Sequence, residues 1–160
     1  MPVFASGDIT NSERYRSLEN DTSARKNWLV SSGWTEAKKI AISGVSNGGL
    51  VVAATGLLEP QLFGLVIPEN GVHDMLGKER LDPSFVAGWN LRDYGDSRVR
   101  GFYDFWSMYS PLVLASKAKD PLPHFLLVNG FNDSRVNSAH TFKLYQALRD
   151  RPSIQDSWVF

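Results

Sequence analysis

Gly44-Val45-Ser46-Asn47-Gly48-Gly49 is the stretch on which the reading of this chain turns. It places a serine among small residues, after Lys39-Ile40-Ala41-Ile42-Ser43 and before Leu50-Val51-Val52-Ala53-Ala54-Thr55-Gly56-Leu57-Leu58. The first run has the length of a buried strand and opens at the turn-like Ser32-Gly33-Trp34-Thr35. The second reads as a buried helix that ends before Pro60. A serine on a strand-to-helix turn is held in a strained backbone conformation. Its neighbours two positions away must be nearly free of side chain for strand and helix to cross closely. Gly44 and Gly48 are expected to meet that demand, with Gly49 widening the clearance. The first amides and positive dipole end of the helix then favour negative charge developing beside the serine. This is the sequence form of a nucleophile elbow, although a Gly/Ser surface loop can carry the same letters.

Working outward, composition sets the bounds. A chain of 160 residues suits one domain and can bury about 70% of its unfolded surface. Lys plus Arg and Asp plus Glu are 17 each, so bulk charge points to neither nucleic acid nor an acidic membrane surface. There is no cysteine, which excludes disulfides, thiolate metal sites and cysteine nucleophiles and fits a reducing, cytoplasmic compartment. Met1 to Asp8 lacks the basic start and apolar core of a signal peptide. The apolar run from Leu50 to Ala54 is far too short to span a membrane. No metal-ligand cluster and no phosphate-binding glycine pattern is visible, so no cofactor is expected.

No repeat or linker divides the chain. Residues 12–31 read as helical, Leu62 to Ile67 as a strand stopped by Pro68, and 71–101 as irregular with a short helix around Met75 to Arg80. A short helix over Tyr103 to Tyr109 precedes Pro111. Phe125 to Val128 is a further strand, Ala139 to Arg149 a helix, and Trp158 to Phe160 the start of a last strand. Apolar strands alternating with helices imply a parallel sheet covered on both faces.

Asn129-Gly130-Phe131-Asn132-Asp133-Ser134-Arg135-Val136 follows the third strand. Ligands of open parallel sheets gather beyond the carboxyl ends of the strands, where both Ser46 and Asp133 would lie. A triad aspartate accepts the ring N–H of a histidine, fixes its tautomer and stabilises the imidazolium. The order Ser46 then Asp133 agrees with serine, acid, histidine. Read alone, Asp133 is equally an Asx turn ahead of the next helix.

Gly44 to Gly49, Leu62-Phe63 before a strand, Gly71-Val72-His73-Asp74-Met75-Leu76, Asp93-Tyr94-Gly95, Tyr109-Ser110-Pro111 and Asp133-Ser134-Arg135-Val136 together resemble the prolyl oligopeptidase family of serine peptidases, over about residues 12–150. The resemblance implies a partial α/β-hydrolase fold, a mostly parallel sheet with helices on both faces. It implies hydrolysis of short peptides through an acyl-enzyme on Ser46, with the Asn47 backbone N–H as an oxyanion donor and Asp133 orienting the base. It also matches Arg135 to an arginine that binds a substrate carbonyl; without the match, a surface salt bridge is the ordinary reading. Trp89 is matched to an aromatic wall for a proline ring, but it lies four residues before Asp93 where the family has three. Asn90 takes that place if the loop shifts, which removes the ground for proline preference, and a buried structural tryptophan is an equally good account of Trp89.

The base is the gap. A serine hydroxyl needs one, and the three histidines His73, His124 and His140 all read as structural, with His140 the best placed. The family's catalytic histidine follows a last strand, and the sequence stops as that strand begins. The family's early strands and β-propeller have no counterpart here either. The expectation is a single incomplete catalytic domain over residues 1–160, inactive alone and lacking the remainder of the peptidase chain as its partner. Two alternatives stand beside it. One is a non-catalytic peptide- or partner-binding pseudoenzyme; the other is a small esterase using His140.

Overall fold

The computed structural model describes residues 24, 27–86, 93–96, 98–99, 101–119, 121–150 and 158–159. Four strands, β1 (Ala41–Val45), β2 (Leu65–Glu69), β3 (His124–Leu127) and β4 (Trp158–Val159), lie in that order in one sheet, every pairing parallel. The labelled helices are α1 (Asn47–Leu58), α2 (Lys78–Leu81), α3 (Phe102–Ser107), α4 (Pro111–Lys117) and α5 (Ala139–Arg149). The parallel α/β architecture is therefore as the alternation of apolar strands and helices demanded.

Val66, Phe125 and Leu127 turn to one face of the sheet, where they meet Ala53 and Leu57 of α1, Ala115 of α4, and Leu144 and Leu148 of α5. Gly56 lets α1 sit directly on β2, since a Cβ there would meet the Val66 side chain. A second cluster lies at the carboxyl end of the sheet and joins Leu50, Val72, Met75, Tyr94, Trp106, Tyr109 and Val136. This second cluster ties the start of α1 to the loop carrying Asp133.

Two local expectations are corrected. The second strand starts at Leu65, because Pro60–Leu62 forms a 3-10 turn and Phe63 packs into the core instead of extending the ladder. Pro68 does not end that strand but lies within it, opposite Gly44 of β1. Its missing N–H faces β3, and there the ladder lapses: paired residues run to Val66–Phe125 and resume only at the isolated bridge Glu69–Val128. Pro111 opens α4 at its first position, where a missing N–H loses no helical bond. Of the helix expected over 12–31, residues 27–31 are helical, and most of the rest lies outside the described residues.

β1 forms the edge of the described sheet. Ile40 and Ser46 bond toward β2 and its approach, through Gly64 N–H to Ile40 O and Ser46 N–H to Glu69 O. Alternation therefore leaves the N–H and C=O groups of Ala41, Ser43 and Val45 on the outer side, and all three residues are exposed. The chain is expected to self-associate with rising concentration in sedimentation velocity, and Ser43→Lys to shift it toward monomer. A wild-type chain that stays monomeric at all concentrations contradicts this expectation.

Candidate active site

Ser46 stands between β1 and α1 with φ 57° and ψ −117°, a conformation that costs about 1–3 kcal/mol in a residue with a Cβ. Two bonds hold it there. Its N–H donates to Glu69 O at 2.9 Å, and its carbonyl accepts the Leu50 N–H at 3.1 Å. The glycines around it divide differently from expectation. A Cβ on Gly44 would strike the Gly48 carbonyl, and one on Gly49 would lie 2.8 Å from Gly71 Cα and 2.9 Å from Glu69 O. Gly48 itself has open space where its side chain would be. Close approach thus explains Gly44 and Gly49, and not Gly48.

Asn47 is the first residue of α1, where backbone N–H groups have no partner within the helix. Its side-chain Oδ1 accepts the Tyr94 hydroxyl at 2.8 Å, and Tyr94 O accepts the Trp106 Nε1–H at 2.7 Å. Burial, with the nearby Asp93 carboxylate, pushes the Tyr94 phenol up, so it remains a neutral donor.

Asp133 is half-buried after β3. Its Oδ1 accepts the N–H groups of Arg135 at 2.7 Å and Val136 at 3.0 Å, which is the Asx turn. Oδ2 accepts nothing among the described residues. One carboxylate therefore builds its own loop and still keeps an oxygen for a ring N–H. The exposed Arg135 guanidinium makes no ion pair among the described residues. Trp89 and Asn90 lie outside the described residues.

The two loops share one end of the sheet with β2 between them. Ser46 is bonded to Glu69, Asn70 N–H reaches Val128 O at 2.9 Å, and Gly130 N–H reaches Asn70 Oδ1 at 2.7 Å. Asn70 manages this at φ 44°, in the left-handed region that asparagine tolerates better than most residues. Its Asn-Gly step was the available signal, a turn mark that the sequence reading passed over.

None of the histidines is placed as a base. His124 is exposed at the start of β3, the opposite end of the sheet from Ser46. His73 is fully buried, and neither ring nitrogen has a hydrogen-bond partner. Desolvation, with the nearby His140 adding to it, lowers His73 to about 3. His140 is fully buried with both nitrogens engaged: Nδ1 accepts the Asp74 N–H at 3.0 Å, and Nε2 lies 2.9 Å from Asp82 Oδ2. A backbone N–H can only donate, so Nδ1 is bare and Nε2 carries the proton. The esterase reading that relied on His140 fails on this geometry. Among the described residues no cluster of three or more His, Asp or Glu side chains could hold a metal ion, and no helix is long and apolar enough to cross a membrane.

Comparison with known proteins decides what this arrangement belongs to. The model of the prolyl oligopeptidase family matches residues 17–157. The chain belongs to the prolyl oligopeptidase family. It is 33% identical over 142 residues to a prolyl endopeptidase of Elizabethkingia meningoseptica, covering 88% of this chain and 20% of that protein. A solved prolyl endopeptidase superposes with TM-score 0.75 at 30% identity, over 88% of this chain and 20% of its own. Prolyl oligopeptidase B of Galerina marginata, solved with a 35mer hydrolysis and macrocyclization substrate, gives TM-score 0.75 at 26% identity, over 88% and 20%. The chain thus spans about a fifth of the length of the relatives it matches. In this chain Tyr109-Ser110-Pro111 has a structural role: Ser110 Oγ bonds both His73 O and Met75 N–H at 3.2 Å and pins the 73–75 loop over α4.

Proposed function

We propose that this chain supplies the nucleophile and acid of a serine peptidase that cleaves short peptides, and that the base comes from polypeptide beyond these 160 residues. The observation that carries the reading is the pairing of a strained, exposed Ser46 with an Asp133 whose Oδ2 is open, on one end of one parallel sheet. Ser46 Oγ attacks the scissile carbonyl carbon, its proton passes to the imidazole and then to the leaving amine, and water releases the acyl group. The Asn47 N–H at the start of α1 stabilises the oxyanion, a contact of a kind worth about 3–4 kcal/mol. Arg135 takes a substrate carbonyl, and Trp89 remains assigned to a proline-ring wall. In this reading residues 1–160 are one incomplete catalytic domain. The buried or distant histidines favour one competing reading, a pseudoenzyme that binds peptides without cleaving them.

Exogenous imidazole separates the two. A fluorophosphonate is expected to label the chain negligibly alone and to label Ser46 once imidazole is added, as read by intact mass. Ser46→Ala should abolish the labelling and Asp133→Asn should weaken it. Equal labelling without imidazole would place a base within the chain. Silence at every imidazole concentration, with a peptide still bound, would favour the pseudoenzyme.

A further inference from the structure

The hydrogen bonds of Asp82 and His140 do not serve Ser46, yet they converge on the segment that follows the Asp133 loop. Asp82 Oδ1 accepts the Asn137 N–H at 2.8 Å, while Oδ2 faces the His140 Nε2–H at 2.9 Å. The Asn137 Nδ2–H reaches Leu81 O at 3.4 Å, and its Oδ1 accepts the Ala139 N–H at 2.9 Å. On the other side of the ring, His140 Nδ1 accepts the Asp74 N–H, and the Asp74 carboxylate bonds Gly77 N–H and the Lys143 ammonium. Both oxygens of one nearly buried carboxylate are thus bound to residues 137 and 140, immediately beyond the Asx turn in which Asp133 holds Arg135 and Val136.

We propose that Asp82 and His140 are a positioning pair for Asp133. They repeat the aspartate–imidazole hydrogen bond of a triad, but use it to hold the acid loop against the 74–82 segment. The proposal rests on the reading of Asp133 as the catalytic acid, and its logic is directional. His140 needs a bare Nδ1 for the Asp74 N–H, so it must donate from Nε2, and among the described residues the acceptor it meets there is Asp82 Oδ2. Asn at position 82 keeps one acceptor and turns an N–H against either Asn137 N–H or His140 Nε2–H. Moving the ring proton to Nδ1 only transfers the conflict to Asp74. The groups facing His140 are Asp82, Asp74, Lys143 and His73.

The test uses the full chain. In imidazole-supported labelling of Ser46, Asp82→Asn is expected to lower the rate roughly tenfold when Asp133 is present, the scale on which displaced catalytic groups act. In an Asp133→Asn background it should change the rate less than about twofold, because the pair then has no acid to position. Equal losses in both backgrounds would mean a merely structural role and overturn the proposal. Amide exchange judges it independently of any labelling: Arg135 and Val136, both bonded to Asp133 Oδ1, should lose protection in Asp82→Asn. Retained protection overturns the proposal even where imidazole fails to support labelling, an outcome that would count against the catalytic reading instead. Should Asp82→Asn not fold, the wild-type chain still decides. Its His140 must show a protonated Nε2 and a bare Nδ1 in long-range 1H–15N spectra, and the opposite tautomer refutes the pair.

Discussion

Gly44→Ala is expected to destabilise the chain by more than about 3 kcal/mol, or to prevent folding altogether. The added Cβ would meet the Cα, carbonyl carbon and oxygen of Gly48, all backbone atoms of the first turn of α1. No rotamer can relieve a clash with a helix backbone, so β1 and α1 must separate, and their separation removes the turn that strains Ser46. Gly48→Ala is the internal control. Its side chain would enter open space inside a helix, where alanine exceeds glycine by up to about 1 kcal/mol, so a neutral or stabilising effect is expected. Urea unfolding of the two variants beside wild type checks both. Equal damage from the two substitutions would show that the close approach at Gly44 is not what selects glycine in this turn.

His73→Leu should stabilise the chain, and increasingly so in acid. The imidazole is fully buried with both nitrogens unpartnered, and an unsatisfied buried polar group costs about 1–3 kcal/mol. Burial lowers His73 from 6.5 in the unfolded chain to about 3 in the fold. Between those values the unfolded state binds a proton that the native state refuses, so stability falls as pH falls. The contribution is complete above pH 6.5 and is lost at about 1.4 kcal/mol per pH unit below it. The gap between variant and wild type should therefore widen by about 2 kcal/mol from pH 7 to pH 5. His140, also lowered chiefly by burial, adds a slope of the same sign that the substitution leaves in place. A pH-independent gap would mean that His73 finds a partner or solvent in the native state.

What was legible in the sequence is what local physics determines. The helix Ala139–Arg149 appears with the expected ends because His140, Leu144 and Leu148 recur at four-residue spacing on one buried stripe. Ser46 and Asp133 were legible because each is defined by its own loop, one by flanking glycines, the other by amides two and three residues on. Strand ends were less so. Leu62-Phe63 has strand chemistry but follows Pro60, and Pro68 looks like a stop until its neighbours in the sheet are known. The role of His140 was the least accessible, since the groups that occupy its nitrogens lie 58 and 66 residues away. Tyr94 poses the same difficulty: its hydroxyl serves Asn47 across 47 residues, and no spacing rule announces such a bond.

Pro68 has a consequence beyond the broken ladder. Past the lapse, β2 meets the chain after β3 again through the backbone of residues 68–70 and Val128, and the Asn70 side chain adds one bond to Gly130 at the foot of the loop carrying Asp133. The backbone bonds supply the foundation, and the Asn70 side chain is a replaceable strut above it. Such an arrangement separates what must be conserved to fold from what can be adjusted to tune reactivity. Descent could alter how the Ser46 turn sits against the Asp133 loop by small changes at Asn70, leaving the strands beneath untouched.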